Sequence, residues 1–218
     1  MHEEILIAFY GGTFDPIHYG HLKSVIALSQ FIKLQKVIFL LNQFPAHRPQ
    51  PVASFQQRLM SIRLAISELS DSLFYLDKSE CREEMPSYIV ETFELLRSKY
   101  GSSIPLAFIL GEDSLLTLPQ WHRGLELLTL CHLLVCTRPG YDNWRVSYVN
   151  NKRWLNNRLT FDPQLIYKQP AGLIYCAPTP KLPISSSQIR ERYRHGRSCR
   201  GLLPSSVQDY IDSQRLYR

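Results

Sequence analysis

The feature that most limits the folds open to this chain is an alternation. Short, unbroken apolar runs recur between segments whose apolar residues are spaced by three and four. The runs are Ile5-Leu6-Ile7-Ala8-Phe9, Val37-Ile38-Phe39-Leu40-Leu41, Leu73-Phe74-Tyr75-Leu76, Leu106-Ala107-Phe108-Ile109-Leu110, Leu133-Leu134-Val135-Cys136 and Leu173-Ile174-Tyr175-Cys176. Strands covered on both faces need apolar residues at every position, whereas a half-exposed strand alternates. Strand, crossover helix and parallel strand in succession predict an α/β fold built on a parallel sheet.

The intervening segments read as helices. Leu22, Val25, Ile26, Ser29 and Ile32 form one mostly apolar stripe on a helix starting near His18. Ser54 with Gln57 predicts a capping box opening a second helix, with Leu59, Ile62, Ile66 and Leu69 as its stripe. A third is expected over 86–100, stopped by Gly101, and a fourth over part of 113–129, interrupted at Pro119. Residues 139–170, with Gly140, Asn143, Asn150, Asn151, Asn156 and Asn157, break the rhythm and are expected to leave the sheet as an irregular excursion. Short helices over 186–195 and 205–214 close the chain. No repeats or low-complexity tracts occur.

With 44% hydrophobic and 20% charged residues among 218, the chain is expected to fold as a single domain over 1–218 rather than stay disordered. No stretch reaches the length of an apolar membrane span, and Met1-His2-Glu3-Glu4 puts no basic segment ahead of the first apolar run. A cytoplasmic location is expected. Cys81, Cys131, Cys136, Cys176 and Cys199 show no Cys-x-x-Cys spacing and read as reduced side chains, with no metal site among the expectations. The net charge of +6 is uneven: residues 1–137 carry −3 and 138–218 carry +9. Phosphate binding and solubility explain such a tail without nucleic acid, and neither a nucleic-acid nor a membrane partner is expected; a homo-oligomer is left open.

The first run leads directly into Gly11-Gly12-Thr13-Phe14-Asp15-Pro16-Ile17-His18-Tyr19-Gly20-His21. Paired glycines after a parallel strand allow torsions and close approach that a Cβ would forbid, so main-chain N–H groups can face a phosphate. The segment is neither Gly-x-Gly-x-x-Gly nor a P-loop, since no Gly-Lys-Ser/Thr follows. Instead His18 and His21, three residues apart, share one face at the positive end of a helix, where two donors suit a polyphosphate. A zinc pair is disfavoured because the Glu of His-Glu-x-x-His is absent. Asp15 reads as a turn former and local brace.

This segment resembles the signature of the adenylyltransferases and cytidylyltransferases of the nucleotidyltransferase α/β-phosphodiesterase superfamily, and more narrowly its bacterial nicotinate-nucleotide adenylyltransferases. Asn42-Gln43-Phe44-Pro45-Ala46-His47-Arg48 is similar to that family's Pro-x-His-Lys/Arg loop, and Pro86-Ser87-Tyr88 to its pyridine-side helix start. Gly111-Glu112-Asp113 followed by Pro119-Gln120-Trp121 is similar to its Gly-x-Asp and Trp segment. Ile184-Ser185-Ser186-Ser187-Gln188-Ile189-Arg190 matches its Ile-Ser-Ser-Thr-x-Ile-Arg, with serine for threonine at Ser187.

The resemblance implies a single Rossmann-like, doubly wound parallel sheet with crossover helices and a short C-terminal helical extension. It further implies adenylyl transfer from ATP, accompanied by Mg²⁺, to nicotinate mononucleotide, giving nicotinate adenine dinucleotide and pyrophosphate in NAD biosynthesis. His18, His21 and Arg190 would be catalytic. ATP would meet Gly11, Gly12, Thr13, Phe14, His18, Gly20, His21, Gly111, Asp113, Ser185, Ser186 and Arg190. The mononucleotide would meet Asn42, His47, Arg48, Ser87, Tyr88 and Trp121. A pantetheine-phosphate adenylyltransferase or a nicotinamide-preferring enzyme is the nearest competing reading; an ATP sensor without turnover and a tRNA-binding fragment using the basic tail are the others.

Overall fold

In the computed structural model, strands β1 (Ile7–Gly12), β2 (Lys36–Leu41), β3 (Phe74–Asp77), β4 (Leu106–Gly111), β5 (His132–Cys136), β6 (Leu159–Thr160) and β7 (Ile174–Ala177) form one sheet in the order β3-β2-β1-β4-β5-β7-β6. All pairings are parallel. The structure describes residues 5–42, 50–69, 72–77, 88–137, 139–140 and 153–218. The unbroken apolar runs have the cause the sequence suggested. In β1, Ala8 and Tyr10 enter one core while Ile7 and Phe9 enter the other, as the two-residue period of a strand requires.

The first core is closed by α1 (Tyr19–Ile32), α2 (Phe55–Ser67) and the C-terminal helices Ser186–Arg194 and Ser205–Ser213. The second is closed by α3 (Ile89–Tyr100), α4 (Glu112–Thr117) and α5 (Leu127–Leu130). Strand order reverses direction at β1 and β4, so the chain leaves these two neighbours on opposite sides and opens a crevice beyond their C-terminal ends. Those ends are Gly12 and Gly111.

Several local expectations hold. Ser54 accepts from the Gln57 N–H while the Gln57 side chain accepts from the Ser54 N–H, completing the capping box. Gly101 ends α3 at φ 83°. The 113–129 segment breaks at Pro119, where a 3-10 turn, Leu118–Gln120, separates α4 from Gly124–Glu126 and α5. The expected start of the third helix at 86–87 lies outside the described residues, and Tyr88 is the N-cap. Cys131, Cys136 and Cys199 are buried free thiols and Cys176 is half-buried, while Cys81 lies outside the described residues.

Two expectations need correction. The first strand begins at Ile7, since Ile5 is 54% exposed, and it takes in both glycines. The 139–170 excursion is not wholly off the sheet: Leu159 and Thr160 pair with Ile174 and Tyr175 as the edge strand. Two residues carry too short an apolar run for periodicity to register.

His132 is fully buried at the start of β5. Its Nδ1 accepts from the Leu173 N–H at 3.1 Å, which leaves the Nε2 proton to donate to the Gln169 carbonyl at 2.8 Å. Burial holds this imidazole neutral and lowers its pKa from 6.5 to about 4. Between those values the unfolded chain binds a proton that the native state refuses. Stability contributed by His132 is therefore intact above pH 6.5 and falls by about 3 kcal/mol as pH drops to about 4. In NMR titration the His132 ring is expected to stay neutral at about pH 5.5; an imidazolium there in the folded protein would contradict this.

Candidate active site

The glycines at the tip of β1 serve close approach rather than unusual torsion. Neither lies at positive φ; the left-handed residue in the turn is Phe14, at φ 47°. A Cβ on Gly11 would come within 2.6 Å of the Phe108 ring, and one on Gly12 within 2.7 Å of the Phe14 ring. Phe14 is 2% exposed and packs edge-on against Tyr10 at 5.5 Å and His21 at 5.1 Å. Burial of the ring offsets the cost of a left-handed, non-glycine backbone. Phe14 is among the expected ATP contacts, and its ring belongs to the core.

His18 caps α1 with extended backbone, and its carbonyl accepts from the His21 and Leu22 N–H groups. The two imidazoles stack, with centroids 3.7 Å apart and planes 24° from parallel. His18 is buried and His21 half-buried. Both sit where the helix dipole places positive potential. The Tyr19 N–H is already taken by the Leu202 carbonyl at 2.9 Å, so the C-terminal segment helps close this helix start.

Gly20 packs beneath the pair. A Cβ there would lie 2.9 Å from Cε1 and Nδ1 of His18 and 3.0 Å from the Ile184 carbonyl oxygen. Backbone on one side leaves the imidazole as the group that must move. Gly20→Ala is expected to push the ring aside and reduce turnover about ten-fold, less than the ~10²-fold that a full misplacement of about 1 Å can cost. Unchanged steady-state rates would show that the ring need not hold its place.

Asp15 is the brace that its sequence context suggested. Its carboxylate accepts from the Val52 N–H at 2.8 Å, the Ala53 N–H at 3.2 Å and the Tyr217 hydroxyl at 2.7 Å. From the C-terminal part of the chain, Arg190 Nη1 donates to the Asp15 main-chain oxygen at 2.7 Å, and Ser186 Oγ to the Pro16 oxygen at 2.9 Å. Ser185 caps the helix that carries them, accepting from the Gln188 N–H. Arg190 also reaches Ser187 Oγ at 3.3 Å. The structure thus brings Ser186 and Arg190 onto the turn that carries His18 and His21.

Gly111 and Asp113 lie at the C-terminal end of β4. Gly111 caps α4 through its backbone, so Asp113 is not the N-cap but a first-turn carboxylate, where the dipole favours negative charge. On the far side of α4, Trp121 is half-buried against the second core, with Nε1 donating to Thr117 Oγ1 at 3.3 Å. The ring of Tyr88 faces His122, with centroids 4.2 Å apart. No role for His122 follows from sequence, because a lone histidine beside a tryptophan carries no spacing signal. His47, Arg48 and Ser87 lie outside the described residues.

Sequence reasoning also missed Arg58, which is 2% exposed. It donates to the carbonyls of Thr13 at 2.9 Å, Asn42 at 2.7 Å and Ala53 at 3.2 Å, while the Asn42 N–H bonds the Gly12 carbonyl at 3.1 Å. Thr13 and Asn42, both expected at the site, are thereby tied together through main-chain atoms.

An open cavity of about 790 Å³ lined by Arg153, Trp154, Asn157, Arg158, Gln169 and Leu173 lies elsewhere, at the N-terminal ends of β6 and β7. Ligands of open α/β sheets bind beyond the opposite, C-terminal strand ends. The crevice at Gly12 and Gly111 is accordingly the candidate site.

Known proteins resemble this chain along its whole length. The cytidylyltransferase-like family profile matches residues 9–192. A Sodalis glossinidius protein named "Probable nicotinate-nucleotide adenylyltransferase" is 64% identical over 218 residues, covering all of both chains. A Baumannia cicadellinicola protein of the same name is 54% identical over the same span. Among solved structures, a Plasmodium falciparum nicotinic acid mononucleotide adenylyltransferase complexed with NaAD superposes with a TM-score of 0.72, covering 98% of this chain and 97% of its own at 20% identity, a likeness of fold. On the profile match and these full-length identities, the chain belongs to the cytidylyltransferase-like family and, within it, to the nicotinate-nucleotide adenylyltransferases.

Proposed function

We infer that this protein joins ATP and nicotinate mononucleotide to give nicotinate adenine dinucleotide and pyrophosphate, a step of NAD biosynthesis, acting as a single domain over residues 1–218. The observation that carries the reading is the stacked His18–His21 pair at the start of α1, behind the glycine tip of β1 and met by Arg190 through Asp15. Whole-length relatives of this chain bear the matching name.

The chemistry needs little from the protein. The attacking phosphomonoester has its second pKa near ~6, so it is largely ionised at neutral pH and requires no general base. Its oxygen attacks the α-phosphorus, and the bond from that phosphorus to the bridging oxygen of the pyrophosphate breaks. Catalysis reduces to holding two anions in line and offsetting charge on the departing group. His18 and His21 donate to the triphosphate, Gly11, Gly12 and Thr13 shape the turn around it, and Ser186 and Arg190 approach the outer phosphates. Gly111 and Asp113 face the adenosine ribose, where a carboxylate accepts hydrogen bonds from the hydroxyl groups. Tyr88 and Trp121 offer aromatic surface to the pyridine ring.

Among the described residues no group of three or more His, Cys, Asp or Glu side chains could hold a metal ion. Mg²⁺ would accompany ATP and would neutralise triphosphate charge there. The reading places the protein's work in the cytoplasm; among the described residues no helix is long and apolar enough to cross a membrane. A homo-oligomer is compatible with this reading and not required by it.

Incubating the protein with ATP, Mg²⁺ and either nicotinate or nicotinamide mononucleotide tests the assignment. Dinucleotide and pyrophosphate in equal amounts, formed faster from the nicotinate substrate, are expected. No dinucleotide, or a faster reaction with the amide, would overturn it.

A further inference from the structure

We propose that Tyr217 is a positioning residue for adenylyl transfer: its hydroxyl occupies the Asp15 carboxylate and so keeps Arg190 on the Asp15 main-chain oxygen, from which the guanidinium can meet the triphosphate. The proposal rests on the function inferred above. Tyr217 is only 6% exposed and its hydroxyl lies 2.7 Å from Asp15 Oδ1, across 202 residues of sequence.

Local geometry makes this contact deliberate. The helix Ser205–Ser213 ends in a Schellman turn: Leu216 N–H bonds the Ile211 carbonyl at 3.0 Å, Arg215 N–H bonds the Asp212 carbonyl at 3.2 Å, and Arg215 takes φ 51°. Reversal there turns Tyr217 back toward the sheet, its ring beside Tyr193. The other end of the helix is fixed as well, since Glu68 at the end of α2 accepts from the Ser206 N–H at 2.7 Å. Tyr217 is therefore held at both ends of its supporting element. Burial, then the neighbouring carboxylate, push its phenol pKa up, so the hydroxyl remains a donor at any working pH.

Arg190 gives the contact its consequence. Its Nη1 is 2.7 Å from the Asp15 main-chain oxygen but 3.9 Å from Asp15 Oδ2, and its side chain is 23% exposed. Direct pairing with the carboxylate would draw the guanidinium inward, away from the crevice. The donors on that carboxylate, the Val52 and Ala53 N–H groups and the Tyr217 hydroxyl, compete with such pairing. Tyr217 is the one of these that side-chain substitution can remove. With it gone, Oδ1 loses its shortest hydrogen bond, and Arg190, already 3.9 Å from Oδ2, is drawn toward the carboxylate, while Arg58 stays on its own carbonyl partners.

The test is Tyr217→Phe, which removes one oxygen and keeps the ring. Steady-state rates are measured with ATP and nicotinate mononucleotide and normalised to the folded fraction from circular dichroism at the assay temperature. The expected result is a fall in kcat of about ten-fold or more, with KM for nicotinate mononucleotide within about two-fold. In the Arg190→Lys background the same change should cost less than about two-fold, because the group it positions is already altered. Deleting Arg218 alone, an exposed residue paired with Asp212 at 3.6 Å, should leave kcat within about two-fold. An unchanged kcat per folded molecule, or equal losses in both backgrounds, would overturn the role and leave Tyr217 as packing. Wild-type protein is assayed alongside. If it makes no dinucleotide the function itself is wrong, whereas active wild type with unaffected Tyr217→Phe removes only this proposal.

Discussion

His21→Ala is expected to lower turnover by about 10²-fold while leaving the fold in place, because one preorganised donor at developing charge is worth about 3 kcal/mol. The residue is well chosen for separating chemistry from folding. His18 is buried at 1% exposure and packed against Gly20, so replacing it would mix the two effects. His21 is half-buried, and its ring contacts include the stacked His18 ring and the rings of Phe14 and Tyr10. Its backbone N–H bond to the His18 carbonyl survives truncation, and alanine is the strongest helix former. The measurement is kcat at saturating ATP and nicotinate mononucleotide, with thermal unfolding as control. A rate within a few-fold of wild type would remove His21 from the transition state.

The sheet and the helix starts were open to sequence reading because their causes are local. Two buried faces demand unbroken apolar runs, and a capping box needs only Ser54 and Gln57. The Gly-Gly turn and His-x-x-His were visible for the same reason: their meaning lies in spacing along eleven consecutive residues. What escaped depends on contacts distant in sequence or on residues that break a rule. Phe14 takes the left-handed conformation that glycine usually supplies, and Arg215 does so in the closing Schellman turn. Edge strand β6 offers two residues, fewer than a pattern requires. Tyr217 finds its partner 202 positions away. Arg58 follows Gln57 in a helix whose charged residues would normally face water, yet it points inward.

Arg58 is also where the largest loss of stability is expected. Its guanidinium joins three segments that share no secondary structure: the turn after β1 through Thr13, the end of β2 through Asn42, and the approach to α2 through Ala53. Hydrogen bonding explains why a buried cation is tolerated, since the carbonyls supply the electron density that water would. Arg58→Met keeps most of the volume and removes every donor. The carbonyl oxygens would then be left buried, and at about 1–3 kcal/mol for each unsatisfied group the variant should lose about 3–5 kcal/mol. For a chain of this size that corresponds to a fall in Tm on the order of 10 °C. Arg58→Lys should recover only part, because one ammonium cannot span the fork that a guanidinium presents. Function should follow. The Ala53 N–H is bonded to Asp15, so loosening this junction reaches the brace under His18 and Arg190. Chemical denaturation of the Met variant decides the matter: a loss below about 1 kcal/mol would mean that water satisfies those carbonyls and that the turn is held without Arg58.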